Sequence, residues 1–185
     1  REGIVREGPL AIPRSDHLDD GVLVLRHGEL FAVCDPRGDV LPSERSSHGF
    51  YFAGTRYLSG FTLSAEGVRP ALLGSTVRDT DGLLTVDLAN PDLLQDGNTM
   101  VLGETLHLFR SRFACDDTFY ETLRVTNHGS DAVSIRIAFH VTADFADIFE
   151  VRGIPRARRG DSLPPKTWTS GIELGYVGLD ERVRR

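Results

Sequence analysis

Carboxylates grouped within a few residues can serve as an acid/base pair, a metal cage or a solvated helix face. The stretch HVTADFADIFEVRG (140–153) groups three of them. Asp144, Asp147 and Glu150 stand three apart, interleaved with Phe145, Ile148 and Phe149. On a helical wheel of ~100° per residue, the three apolar residues share one arc, Asp147 and Glu150 lie opposite, and Asp144 sits at the edge. Arg152 falls on the apolar side near the helix C-terminus, where a cation is favoured. It is placed to cap the helix and to bridge to Glu150 or to a neighbouring domain. Gly153 suits a stop, and Pro155 forbids continuation. The spacing therefore predicts one short helix near 143–152 that presses its aromatics onto the end of a sheet. Its acids are expected to face outward as a solvated or ion-paired face, with the basic RGIPRARRG (152–160) as partner. A ligand-facing edge is the second reading of the same acids, and metal binding or direct catalysis the third.

Other chemistry-bearing residue types give weaker patterns. His107 and His140 fall on strands and His48 in a loop, and no two histidines make an i, i+4 pair or an HExxH. No metal site and no cofactor is expected. The serines make no GxSxG elbow, and the glycines make no GxGxxG or phosphate-binding loop. Cys34 and Cys115 are too few for a disulfide framework or a zinc knuckle and read as thiols in a reducing compartment. Arg-Gly-Asp occurs twice, in DPRGD (35–39) and RRGD (158–161). Proline then glycine between two aspartates is first a turn; adhesion is the rival reading. Tyr51, Phe52 and Tyr57 could stack on a sugar or a base, but aromatics in β proteins more often fill the core.

The elements around these residues read as strands. In SIRIAFHVT (134–142), Ile135, Ile137, Phe139 and Val141 alternate with polar residues. ETLRVTN (121–127) places Leu123 and Val125 on one face, and Asn127 to Asp131 read as the hairpin turn joining these two strands. LLTVDLAN (83–90) repeats the pattern with Leu84, Val86 and Leu88 after the turn RDTDG (78–82). GVLVLRHGELFAVCD (21–35) reads as two strands around His27 to Glu29, and LSGFTLSAEGVRPALLG (58–74) as two more around Glu66-Gly67. TLHLFRSRFACDDTFYETLRV (105–125) reads as a long hairpin turning at Asp116-Asp117. Roughly ten short strands with turns every 8 to 12 residues predict an all-β, two-sheet antiparallel sandwich, supersandwich-like, with that single short helix. Its core should include Leu84, Val86, Leu88, Leu123, Val125, Ile135, Ile137, Phe139 and Val141. Residues 1–14 and 152–171 read as irregular.

The chain has 185 residues, enough for one domain with a core of its own. Apolar residues make up 40% and charged residues 26%, as in water-exposed globular domains. No apolar run approaches the ~20 residues that cross a bilayer, so no membrane partner is expected. The net charge is -6, yet residues 152–185 carry eight cations against four acids. An acidic body with one basic segment does not offer the broad basic face that nucleic acid requires. No export feature is visible, which makes the cytoplasm the expected compartment. The ending IELGYVGLDERVRR (172–185) reads as a strand, a turn and the first apolar residue of a further strand, so residues 1–185 are expected to be a truncated single N-terminal domain of a longer protein.

VCDPRGDV (33–40), GFYFAGTRYLSGFTL (49–63), LTVDLANPDL (84–93), ETLHLFRSRF (104–113) and above all ADFADIFEVRG (143–153), trailed by RRGDSLPP (158–165), carry a resemblance. From about Leu23 onward the chain resembles the N-terminal β-domain of bacterial glycogen debranching enzyme-like proteins, the amylo-α-1,6-glucosidase type. The resemblance implies a large β-sandwich packed against a following (α/α)6 catalytic barrel that holds the glycosidic carboxylates. It implies two partners, the C-terminal catalytic domain of the same chain and α-glucan. Where the family pattern has Asp-Thr-Arg, this chain has Gly54-Thr55-Arg56, which puts the role of that aspartate in doubt.

Residues and resemblance together point to a non-catalytic N-terminal domain that packs on the barrel and shapes its substrate cleft. No residue of the chain is expected to be catalytic; Arg56, Asp144, Asp147, Glu150 and Arg152 are the candidates for ligand contact or the domain interface. The alternative is a stand-alone carbohydrate-binding sandwich. That alternative expects measurable binding of maltooligosaccharides or glycogen to the isolated domain through a row of exposed aromatics; the first reading expects weak binding or none. Assayed on branched α-glucans beside the full-length parent, the isolated chain is expected to show no turnover. Turnover that survives replacement of Asp144, Asp147 and Glu150 by their amides would place the chemistry in this chain after all.

Overall fold

Alternation becomes strand along most of the chain. The computed structural model describes residues 21–42, 46–78, 82–95 and 97–185. Leu23–His27 (β1), Leu30–Cys34 (β2), Gly49–Phe52 (β3) and Thr55–Leu58 (β4) form an antiparallel meander. Gly60–Ala65 (β5) leaves it, and Ala71–Arg78 (β6) pairs with Leu83–Ala89 (β7). Leu93–Gln95 (β8) and Asn98–Val101 (β9) make a small hairpin. Leu106–Cys115 (β10) and Thr118–Asn127 (β11) make a long one, and β10 also pairs with β7. Ile137–Thr142 (β12) pairs with β5. Ala146–Asp147 (β13) pairs with β4 and leads into Ile148–Val151 (α1). Asp161–Trp168 (β14), Gly171–Val177 (β15) and Val183–Arg184 (β16) form a last meander.

Local residue choice explains the hairpins. Asp116 and Asp117 both take positive φ (46° and 57°) between the paired Cys115 and Thr118. A two-residue turn with both φ positive matches the twist of the flanking strands, and aspartate tolerates that region. The β3–β4 turn does the same with Ala53 (φ 46°) and Gly54 (φ 79°). A Cβ at position 54 would meet nothing within 4 Å.

The five-stranded sheet β1-β2-β3-β4-β13 and the four-stranded sheet β11-β10-β7-β6 share one core. Leu25, Ala32, Cys34 and Phe50 come from the first, Leu84, Val86, Leu88, Leu106 and Leu108 from the second, with Leu63 of β5 between them. Each of the fully buried Leu and Val side chains contributes about 1.5–3 kcal/mol. The fold is all-β and sandwich-like, with one short helix among the described residues.

Several expectations need correction. The strands divide among several small sheets, not two. The turn at Asn127 to Asp131 forms, with Asn127 Nδ2 donating to the Asp131 carbonyl, but β11 and β12 do not pair across it. Around Glu66-Gly67 only Ala65 and Val68 bridge; β5 and β6 then part into different sheets. Period-two alternation fixes which way a side chain faces, not which strand it lies beside. Of the expected core, Leu84, Val86 and Leu88 are buried, while Leu123, Ile135 and Ile137 are partly buried against it. Val141 is half-buried. Val125 and Phe139 are 41% and 39% exposed, because β11 is an edge strand and β12 belongs to a two-stranded pair. Residues 152–171 are not irregular throughout, since β14 occupies 161–168, and Val183 pairs with Val177 instead of starting an orphan strand. The expected irregular segment 1–14 and turn residues 79–81 lie outside the described residues.

Charged residues also lie inside. Arg110 and Arg112 are each 2% exposed on the same face of β10 as Leu106 and Leu108. Asp39, 1% exposed, accepts through Oδ1 from Arg110 Nη1 (2.7 Å) and the Leu63 amide (3.1 Å), and through Oδ2 from Arg69 Nη2 (2.7 Å). Arg69 also donates to Asp35 Oδ2 (2.6 Å). Glu121 takes Arg110 Nε on one oxygen and Arg112 Nε on the other, both at 2.8 Å. The carbonyls of Arg37 and Gly38 accept from Arg110 and Arg112 (2.8 Å each). Gly38 is required here: φ is +75°, and an added Cβ would lie 3.4 Å from Val86. Arg112 also lies over the rings of Phe50 (4.8 Å) and Phe61 (5.4 Å). The first Arg-Gly-Asp is thereby turned inward, which removes it as an adhesion motif.

Removing one partner of a buried ion pair leaves a charge without compensation. Asp39→Ala should lower the unfolding free energy by about 3–5 kcal/mol, read from urea denaturation. Lys166→Ala, at the exposed pair with Glu173, should change it by less than about 1 kcal/mol. A loss below about 1 kcal/mol for Asp39→Ala would mean that the cluster is incidental to folding.

Candidate functional site

Arg56 is the inward residue of β4, 5% exposed. Its stem runs over Gly49, where an added Cβ would stand 2.5 Å from Arg56 Cδ. Its fork meets Asp144: Nε donates to Oδ1 (3.2 Å) and Nη2 to Oδ2. Nη1 donates to the carbonyls of Ser46 (2.9 Å) and His48 (3.2 Å). Bidentate guanidinium–carboxylate pairing fixes orientation as well as charge. Burial alone would pull the Arg56 guanidinium down, but the hydrogen bonds and charge of Asp144 outweigh it and leave it raised. Tyr51 beside it is buried, stacks on Phe31 at 4.4 Å, and donates its hydroxyl to the Ser47 carbonyl (2.7 Å). Burial pushes its phenol above the usual range.

The segment after Asp144 is bent sharply. Phe145 has φ +50°, uncommon for a bulky residue and costing about 1–2 kcal/mol. The conformation is held on both sides. Phe145 is buried, stacked on Tyr176 (5.5 Å) and edge-on to Tyr57 (5.5 Å), while Ala146 pairs with Arg56 in the sheet. The bend leaves α1 four residues long, a single turn.

Asp147 caps α1. Its Oδ1 accepts from the Phe149 amide (2.8 Å), and Glu150 Oε2 accepts from the Asp147 amide (3.0 Å), which completes a capping box. At the other end Gly153 (φ +88°) donates to the Glu150 carbonyl and Ile154 to the Phe149 carbonyl, both at 2.9 Å. This is the paired closure of a Schellman motif. Arg152 is the C-cap, and with Ile148 and Val151 it lines a hollow against Phe31, Val33, Ser47 and Tyr51. Arg156 lies 3.1 Å from Asp147 and 3.6 Å from Glu150, and Arg159 lies 3.3 Å from Glu150.

The structure thus brings all five candidates into one cluster but divides their tasks. Asp147 and Glu150 form the expected ion-paired face with the basic segment. Asp144 does not face outward; it is turned onto Arg56, 88 residues away. The apolar arc is split: Phe145 is buried, Ile148 half-buried and Phe149 56% exposed. Of the aromatics weighed as a stacking platform, Tyr51 belongs to the interior, and Phe52 and Tyr57 pack edge-on against each other at 6.4 Å. Among the described residues no group of three or more His, Cys, Asp and Glu is arranged to hold a metal ion. Sequence reasoning missed the inward cluster of Asp35, Asp39, Arg69, Arg110, Arg112 and Glu121. Its visible signal was that Arg110 and Arg112 continue the apolar alternation of Leu106 and Leu108.

In comparison with known proteins, residues 25–185 match the family model described as the N-terminal domain of (some) glycogen debranching enzymes. No curated protein and no solved structure matches the chain.

Arg56→Met should cost about 3–5 kcal/mol of stability by stranding Asp144, and Asp147→Ala about 1 kcal/mol through the lost cap. Urea titrations of both variants measure this. A fully stable Arg56→Met chain would show that the guanidinium is kept for a ligand and not for the fold.

Proposed function

Since the chain belongs to the family of N-terminal domains of some glycogen debranching enzymes, we propose that it packs on a C-terminal (α/α)6 catalytic barrel of the same chain and shapes that barrel's α-glucan cleft. The domain itself is non-catalytic in this reading. Glycoside hydrolysis uses two carboxylates about 5 to 9.5 Å apart across the scissile bond. Asp144, Asp147 and Glu150 are instead committed to Arg56, to the ends of α1 and to the basic segment.

The observation that carries the docking role is the end of α1. Phe149 and Ile154, the two positions whose side chains meet across a Schellman closure, are each 56% exposed. They stand on a turn capped at both ends and anchored by the Arg56–Asp144 fork. Apolar side chains presented this rigidly, with Arg156 paired to the acids of α1, have the make-up of a partner surface. Arg152 and Arg56 act behind it as positioning residues. Two free cysteines, Cys34 buried and Cys115 exposed, favour a reducing compartment, and we place the enzyme in the cytoplasm.

In the parent enzyme, Phe149→Asp combined with Ile154→Asp should lower activity on a branched α-glucan at least tenfold and let limited proteolysis separate the two domains. The 185-residue chain with the same changes should keep its urea midpoint. Unchanged activity and an unchanged proteolytic pattern would sink the docking role.

A further inference from the structure

The side chains of the β6-β7-β10-β11 sheet that alternate with the core residues Leu84, Val86, Leu88, Leu106 and Leu108 point to its outer face, where Phe113 and Tyr120 are exposed and Thr85, Asp87 and Ser111 half-buried. Strand register arranges its side chains in rows. Arg78, Leu83, Phe113 and Tyr120 form one row, and Thr76, Thr85, Ser111 and Thr122 the next. Gly74, Asp87, Phe109 and Arg124 form the third, and Ala89, His107 and Thr126 the fourth. Neighbours in a row stand about 4.8 Å apart, so the second row is an unbroken line of four hydroxyls roughly 14 Å long. Beside it Phe113 and Tyr120 stack at 5.1 Å while remaining 41% and 47% exposed.

Four acidic or basic side chains lie in these rows, Arg78, Asp87, His107 and Arg124. His107 Nε2 lies 2.8 Å from Asp87 Oδ1, and Arg124 lies over the Phe109 ring at 5.0 Å. A nucleic acid needs a broad basic surface, which is absent here. Protein interfaces are depleted in serine and charge at their centres, whereas here hydroxyls and the Asp87–His107 pair occupy the middle. What the face does present is hydroxyls, each both donor and acceptor, flanked by ring surface. An uncharged polyhydroxylated chain has the same two properties: hydroxyls at its edges and apolar C–H faces.

We propose that this sheet face is a contact surface for an α-glucan chain, with Phe113 and Tyr120 supplying the apolar contact and Thr85, Ser111, Thr122 and Asp87 the hydrogen bonds. The choice of glucan among neutral polysaccharides rests on the function proposed above; the surface itself does not. It also lies apart from the docking segment. Ala32, Cys34 and Phe50 point from the first sheet into the core, while Phe31, Val33 and Tyr51 point the other way, toward α1. The α1 segment and the hydroxyl face are therefore on opposite sides of the sandwich, and a barrel docked on one leaves the other open. An open, flat face binds each stretch of chain weakly. Binding is then visible on a polymer with many equivalent sites, not on a short oligosaccharide.

The test is native electrophoresis of the 185-residue chain through gels with and without glycogen. The wild-type chain is expected to be retarded by glycogen. Phe113→Thr combined with Tyr120→Thr should reduce the apparent association constant at least fivefold. Thr85→Val combined with Ser111→Val, which keeps strand-forming residues at both positions, should do the same. Unchanged circular dichroism and urea midpoints show that the variants are folded. A wild-type chain that runs alike in both gels overturns the proposal. So does retardation that both double variants keep, or a chain that instead dimerises through this face. The Phe149/Ile154 variants separate the two ideas. They should still be retarded by glycogen, and a failed docking test with intact retardation would overturn the domain-packing reading alone.

Discussion

The Asp39 carboxylate, held by Arg110, Arg69 and the Leu63 amide, is the contact on which the sandwich depends. It joins the loop after β2 to β5 and β10 at a point with almost no water. Three arginines and three carboxylates meet around it, so the cluster is neutral as a whole. Burying any one of these ions alone would cost several kcal/mol. The arrangement is tolerable because the carboxylates accept from several donors and the Arg110 and Arg112 guanidiniums lie over aromatic rings. Such a cluster is a poor source of net stability but a strong constraint on geometry. The 35–39 turn is placed so that Arg110 and Arg112 reach Asp39 and the carbonyls of Arg37 and Gly38. Tight approach at Gly38 follows from the same demand.

The second clamp repeats that chemistry at the opposite face. Arg56 and Asp144 tie the chain after β12 to β4, and everything between Phe145 and Gly160 is arranged by that tie. Phe145 adopts a strained conformation because its ring is captured between Tyr176 and Tyr57 while its neighbours are fixed in the sheet. Strain held by its surroundings is common where a segment must present a defined shape. Here the shape is a single helical turn, closed at both ends, with two apolar side chains in solvent. Acids grouped in the sequence as if for catalysis are thus employed as structural caps and pair partners.

These two clamps leave the sandwich with two different outer sides. One carries α1 over Tyr51 and Phe31 and ends in exposed Phe149 and Ile154. The other is a sheet face with a row of hydroxyls beside exposed Phe113 and Tyr120. A β-sandwich as such implies neither role; what distinguishes them is the chemistry grafted on each side. Gly54 fits this division. Position 54 lies in a tight turn whose carbonyl accepts the Ile148 amide, so it serves the α1 side through its backbone.

The sequence by itself determined the local events. Alternation in LLTVDLAN placed Leu84, Val86 and Leu88 inward, the Asp116-Asp117 pair set a two-residue turn, and Gly153 with Pro155 ended the helix. Each depends on φ/ψ preferences and on side chains a few residues apart, which short stretches encode directly. Motifs such as ADFADIFEVRG carried the family as well. The tertiary structure alone decided the rest. Whether β12 would join β11 or β5 depends on which apolar faces remain uncovered once the sheets meet, and alternation is the same in either case. That Asp144 would face Arg56, that Arg110 and Arg112 would be buried, and that Phe149 would be exposed while Phe145 is not, all depend on partners distant in the chain. A charged side chain shows its type in the sequence, but the desolvation and pairing that set its role exist only after the chain has closed around it.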